Sequence, residues 1–253
     1  MSFNVPADAY DRFMGRYSAT LSPQLADLAG VAAGARALDV GCGSGMLTAE
    51  LVDRLGAGTV AAIDPSEQFV DAMRERHPGV DVRQGVAEHL PFADDEFDVA
   101  LAQLVVHFMT DPVAGLSEMA RVTRSGGVVA ASVWDLAGGR APISPFWRAA
   151  VALHPEARGE MGLRGGREGQ LLEMFPAAGL GDVRQSEHVA TVEHPTFDDW
   201  WQPFALGVGP AGAYLVGLDD ARRDALRAAC HDALGDGPFT LPARAWAVRG
   251  TVA

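Results

Sequence analysis

Leu38-Asp39-Val40-Gly41-Cys42-Gly43-Ser44-Gly45 joins an apolar run to three glycines just ahead of a helical pattern, and no other stretch of the 253-residue chain constrains the fold as tightly. Ala35 to Val40 has the length and apolar character of a central parallel strand, and Met46, Leu47, Leu51, Val52 and Leu55 recur at helical spacing directly after it. A strand that enters a helix through glycine is the turn on which α/β folds hold nucleotide-like ligands. Gly41 and Gly43, having no Cβ, tolerate backbone angles closed to other residues and let a ligand approach the main chain, while Gly45 lets the helix start lie against the sheet.

Spacing narrows the choice of ligand. The dinucleotide fingerprint G-x-G-x-x-G needs its third glycine at position 46, where this chain has Met46. The pattern is instead G-x-G-x-G, with Asp39 two residues before the first glycine, and a carboxylate there suits a ligand carrying an ammonium better than a pyrophosphate. Val60 to Ile63 reads as a second strand ending in Asp64, placed to offer an acid to ribose hydroxyls.

From Ala35 to Trp134 strands alternate with helices, which predicts a doubly wound parallel core. Ser22-Pro23 and Asp111-Pro112 each pair a cap residue with a first-turn proline and predict helix starts. Arg74, Arg76 and His77 close the helix after Asp64, before the Pro78-Gly79 break. Val80 to Arg83, Phe97 to Gln103 and Val128 to Trp134 read as the third, fourth and fifth strands. Past this point Val183 to Val192 alternates as a strand, Thr196 to Asp199 matches a capping box, and Asp219 to Leu234 shows a helical face of Ala225, Leu226, Ala229, Ala233 and Leu234. Phe239 to Val252 then returns to the sheet edge as a strand.

A net charge of −13 without any Lys/Arg cluster argues against a broad grip on nucleic-acid phosphates and points to a small-molecule partner. Cys42 and Cys230 stand far apart, as expected of reduced thiols in a cytoplasmic protein. The first twenty residues carry no export signal, and no run reaches about 18 apolar residues, so no membrane partner is expected. The two cysteines are isolated and the seven histidines scattered, so no metal site is expected, and neither a phosphate-binding P-loop nor a G-x-S-x-G elbow occurs.

Four segments in order, Leu38 to Gly45, Ala62 to Ser66, Gly85 to Phe92, and Phe97 to Ala100 running on to Arg124 to Gly127, resemble the class I S-adenosylmethionine-dependent methyltransferases, in particular the ubiquinone-biosynthesis-like group. The resemblance covers roughly residues 10 to 135. It implies a Rossmann-like doubly wound sheet of seven strands in the order 3-2-1-4-5-7-6, the last antiparallel, with cap helices inserted between the final two strands. It also implies a single domain: an N-terminal lid and first helix over 1–34, a cofactor core over 35–135, and a substrate-facing half over 136–253 with its cap at about 196–236.

On the same footing, S-adenosylmethionine is the expected cofactor. Gly41, Cys42 and Gly43 would lie along its methionine part, with Asp39 facing the ammonium, Asp64 the ribose, and Pro65 walling the ring. Similar proteins often place an Asp-Ala pair beside the adenine; this chain has Val86-Ala87, which leaves Ala87 and Glu88 for polar contact. Gln103 would neighbour the cofactor from the fourth strand, Tyr10 and Arg16 would fold over it as a lid, and Arg16 would pair with its carboxylate. His107 is the candidate general base, and Trp200, Trp201, Phe204 and Tyr214 form either an acceptor pocket or the packing of the cap. Two other readings stay open on the residues alone: a nicotinamide-dependent oxidoreductase, and a cofactor-binding regulatory protein without turnover.

Overall fold

The computed structural model describes residues 11–157 and 159–253. Its strands are β1 (Ala37–Val40), β2 (Val60–Asp64), β3 (Asp81–Gln84), β4 (Phe97–Gln103), β5 (Thr123–Trp134), β6 (Gly181–His194) and β7 (Phe239–Thr251). They form one sheet in the order β3-β2-β1-β4-β5-β7-β6. β1 pairs in parallel with β2 and β4, β2 with β3, and β4 with β5, whereas β7 runs antiparallel to both β5 and β6. This is the order and the antiparallel strand that the resemblance implied.

Because side chains alternate across a strand, β1 and β2 feed two cores. Leu38, Val40, Ala61 and Ile63 pack on one face with Leu116, Met119 and Phe175, while Ala37, Val60 and Leu101 pack on the other with Leu25, Leu47 and Leu51. Every residue of β1 is buried, which is why it reads as a continuous apolar run rather than an alternating one. Full burial of a leucine such as Leu51 contributes about 1.5–3 kcal/mol.

Nine α-helices are described: α1 (Arg16–Ala29), α2 (Met46–Leu55), α3 (Glu67–Arg76), α4 (Pro112–Val122), α5 (Ser144–Leu153), α6 (Gln170–Ala177), α7 (Phe197–Ala205), α8 (Gly209–Val216) and α9 (Asp220–Leu234). Asp111 caps α4 by accepting the N–H groups of Val113 and Ala114, and Thr196 caps α7 by accepting that of Asp199. α7, α8 and α9 lie between β6 and β7 in sequence, as a cap should. Their aromatic side chains join those of α5: the Phe146 and Phe204 rings stack with centroids 4.7 Å apart, and Phe13 meets Phe204 edge-on at 4.8 Å.

Several sequence expectations change. Ser22-Pro23 does not open a helix; α1 begins at Arg16, Pro23 lies within it, and the Ser22 hydroxyl donates to the Ser18 carbonyl. In α9 only Leu226 and Cys230 are buried, a stripe narrower than the predicted face. β5 extends back to Thr123. Helices α5 and α6 were not anticipated.

Candidate cofactor cleft

At the carboxyl ends of β1, β2 and β4 a cleft of about 560 Å3 opens, within the usual range for small-molecule sites. The glycine turn forms one wall. Gly41 and Cys42 both donate backbone N–H groups to the Ile63 carbonyl, at 2.8 and 3.0 Å, so the turn after β1 is anchored to β2. Gly41 adopts φ +73°, and a Cβ there would fall 2.4 Å from Val105 Cγ2; glycine is required both for the angle and for the close approach. At Gly43, φ is +52° and a Cβ would meet nothing within 4 Å, which leaves its backbone facing open space. Gly45 serves packing of a different kind from that predicted: a Cβ would strike Met73 Sδ of α3 at 2.2 Å.

Asp64 ends β2 inside this turn. Its Oδ2 accepts the Gly43 N–H at 2.9 Å and its Oδ1 accepts the Ser66 N–H at 2.8 Å. Burial raises the carboxyl pKa, and these two hydrogen bonds oppose the rise. Each oxygen keeps a lone pair beyond these bonds. Across the cleft Gln103 donates from Nε2 to the Ser18 carbonyl and to Ser22 Oγ, while its buried Oε1 has no hydrogen-bond partner among the described residues. Pro65, Val86, Ala87 and Glu88 complete that side. Glu88 Oε1 accepts the N–H groups of Thr110 and Asp111, so it fastens two loops as well as bordering the cleft.

Of the residues singled out in the sequence, Gly41, Gly43, Asp64, Pro65, Val86, Ala87, Glu88 and Gln103 are thus brought together around one cleft. Others are placed elsewhere. Asp39 is buried behind the turn with Oδ2 accepting the Thr48 hydroxyl at 2.6 Å, and burial pushes its carboxyl up to about 7. Cys42 packs with Ala62, Val70 and Met73 beneath the turn, where burial raises its thiol. Arg16 is not free for a ligand carboxylate: Nη1 pairs with Asp199 Oδ2 at 2.7 Å and Nη2 donates to the Glu193 carbonyl. Tyr10 lies outside the described residues.

His107 is also off the cleft. It borders a second, smaller cavity, and burial depresses its imidazole to about 4, so the titration range that recommended it as a base is not the one the fold gives it. Trp200, Trp201 and Phe204 are buried in the cap, Tyr214 is half-buried beside them, and none of the four borders either cavity. Leu104, the residue after β4, has φ +61°, a strained value for a leucine, and lines both cavities. Sequence reasoning missed Glu160 on the smaller cavity; no local pattern marks it, because its surroundings come from distant segments.

Residues 38–131 match the family model described as a methyltransferase domain. The chain is similar to an uncharacterized methyltransferase of Mycobacterium tuberculosis, 35% identical over 127 residues that cover 50% of this chain and 49% of that protein. It is also similar to a 2-methyl-6-phytyl-1,4-hydroquinone methyltransferase of Oryza sativa, 32% identical over 152 residues, or 59% of this chain and 40% of the other. The chain therefore spans about half the length of the curated relatives it matches, or less. Among solved structures, YcgJ of Bacillus subtilis shares the fold, with a TM-score of 0.59 at 19% identity, covering 91% of this chain and 97% of that one.

Proposed function

Because the chain carries a class I S-adenosylmethionine-dependent methyltransferase domain, we propose that it binds S-adenosylmethionine in the Asp64 cleft and methylates an oxygen, nitrogen or carbon nucleophile of a small, apolar or aromatic acceptor. The observation that carries this reading is the convergence of Asp64, the open backbone of Gly43 and the unpartnered Oε1 of Gln103 on one cleft. Such a donor set fits this cofactor. Asp64 would accept the ribose hydroxyls, Gln103 Oε1 would accept from the ammonium, and Pro65 and Val86 would wall the adenine. Ala87 and Glu88 border the same end. Asp39 and Cys42 would support the turn from beneath.

When bound, this cofactor supplies a methyl group already activated by its sulfonium. What remains for the protein is to align the acceptor and exclude water, and orientation of this kind lowers barriers by roughly 7–11 kcal/mol in favourable cases. A base is needed only where the acceptor atom must lose a proton during attack, and that proton then passes to the base or to water. The hydroquinone methyltransferase relative supports an aromatic acceptor, and the acidic surface favours a small molecule over nucleic acid.

The test is isothermal titration with S-adenosylmethionine and with NAD, followed by detection of S-adenosylhomocysteine in the presence of phenol, hydroquinone and amine acceptors. Binding of the first cofactor and release of its product are expected. Tight NAD binding without S-adenosylmethionine binding would overturn the proposal, and cofactor binding without turnover across a broad panel would favour a regulatory protein.

A further inference from the structure

The second cavity is small, about 40 Å3, with room for the polar end of a ligand rather than its body. Its walls are drawn from six parts of the chain: Phe13 and Met14 before α1, Leu104, His107 and Phe108 after β4, Trp134 at the end of β5, Ile143 before α5, Glu160, and Val208 to Ala211 at the start of α8. Leu104 and Phe108 line both this cavity and the large cleft, so the two share a boundary. Within an otherwise apolar and aromatic lining sit two ionisable side chains, His107 and Glu160.

Neither is consumed by the described residues around it. His107 is 6% exposed and its Nδ1 has no hydrogen-bond partner among the described residues. Glu160, also 6% exposed, accepts the Trp147 indole N–H on Oε2 at 2.9 Å, the sole hydrogen bond of its carboxyl group among the described residues. Trp147 is itself fixed: a Cβ on Gly159 would come within 3.2 Å of the indole, and the ring lies 5.3 Å from those of Phe146 and Tyr214. A buried polar group left without a partner costs about 1–3 kcal/mol, so spare hydrogen-bonding capacity on two residues that border one cavity is what a ligand's polar group would satisfy.

We propose that this cavity anchors the polar end of the acceptor, an uncharged hydroxyl on an aromatic body, with Glu160 and His107 as its hydrogen-bond partners and Trp147 as the residue that positions Glu160. The ring then lies against Leu104 and Phe108, and the atom to be methylated faces the cofactor cleft. Burial lowers the His107 imidazole to about 4, which leaves it neutral at pH 7, and raises the Glu160 carboxyl to about 7, so that a large share of it carries its proton there and can donate to the hydroxyl. Glu160 is thus a specificity-determining residue rather than a base. This inference rests on the proposed methyltransferase reading.

The probes are 4-fluorophenol and 4-fluorotoluene, which differ by a hydroxyl against a methyl and report through one fluorine resonance. Titrations of the full chain are run with S-adenosylhomocysteine saturating, on the wild type and on Glu160→Leu, Glu160→Gln and Trp147→Phe. The wild type is expected to prefer the phenol by about tenfold or more, as a site built to hydrogen-bond a hydroxyl should. Glu160→Leu should erase or invert the preference, Trp147→Phe should reduce it, and Glu160→Gln should retain most of it. Affinity for S-adenosylhomocysteine, unchanged across the variants, reports an intact fold. Equal affinity of the wild type for both probes, binding of neither, or a preference that survives Glu160→Leu would overturn the anchor while leaving the cofactor reading in place. A wild type that binds no S-adenosylhomocysteine would overturn both.

Discussion

Asp64 Oδ2 and the Gly43 backbone N–H lie 2.9 Å apart, so the acid at the end of the second strand closes the glycine turn that follows the first. The same carboxylate holds the start of the next helix through Ser66. One side chain therefore shapes the cleft and presents lone pairs into it.

Replacing Asp64 with Asn tests this double duty. The amide carbonyl oxygen can accept from Gly43 or from Ser66, while the amide NH2 faces the other N–H without a bond. Loss of a hydrogen bond to a charged group costs about 1.5–3 kcal/mol, so the affinity for S-adenosylmethionine should fall by roughly 10- to 100-fold. Titration calorimetry reads the change, and an unaltered dissociation constant would place the ribose elsewhere.

Gly41→Ala and Gly43→Ala should separate packing from backbone strain. Both positions have positive φ, which costs an L-residue about 1–2 kcal/mol. At Gly41 the new methyl also meets Val105, whereas at Gly43 it meets open cleft. Gly41→Ala should lower the unfolding midpoint more, and adding Val105→Ala should restore part of the loss. Gly43→Ala should lose only the backbone cost of about 1–2 kcal/mol and also weaken cofactor binding.

Asp39 and His107 give opposite pH dependences. Asp39 titrates at about 7 in the fold against an ordinary value of 3.8, so between these values the folded state holds a proton that the unfolded state has lost. Its stabilising contribution is complete below the unfolded value and disappears as pH rises through 7, at no more than about 1.4 kcal/mol per pH unit. His107 falls from 6.5 to about 4, so between those values the unfolded state holds the extra proton and stability grows with pH. Asp39→Asn, which keeps an acceptor for the Thr48 hydroxyl, should therefore gain stability relative to wild type as pH rises from 4 to 7. His107→Leu should lose stability relative to wild type over 4 to 6.5. Urea denaturation at intervals across this range measures both slopes.

The parts of the cleft that were legible in the sequence are those set by local chain geometry. A buried strand, a glycine turn and an acid at the end of the next strand fix Gly41, Gly43 and Asp64 relative to one another through a few backbone hydrogen bonds. Long-range packing decided the rest. The Ser-Pro signal failed at Ser22-Pro23, where α1 is held against the sheet from Arg16 onward, and the same dipeptide at Ser144-Pro145 does begin a helix. Arg16 looked available for a ligand because its partner Asp199 lies 183 residues away. Glu160 carries no signal of its own; only the fold brings it to a cavity with His107.

The N-terminal helix and the cap are joined by a buried polar relay, and this junction gives the last prediction. Tyr17 Oη lies 3.0 Å from His194 Nε2, and His194 Nδ1 lies 2.9 Å from Asp199 Oδ2, which also receives Arg16. Tyr17 is 1% exposed and its ring meets Trp134 edge-on, so the phenol keeps its packing when the hydroxyl is removed. Tyr17→Phe leaves the buried His194 nitrogen without a partner, at a cost of about 1–3 kcal/mol. The exposed Arg16–Asp199 pair should contribute less, about 0–1 kcal/mol. Since the partners are in direct contact, the double variant Tyr17→Phe with His194→Leu should be more stable than the sum of the single losses predicts, with a coupling of about 0.5–3 kcal/mol in denaturant unfolding. Tyr17 and His194 border neither cavity, so affinity for S-adenosylmethionine should hold in all three variants. Additive losses would show that the relay does not couple the helix to the cap.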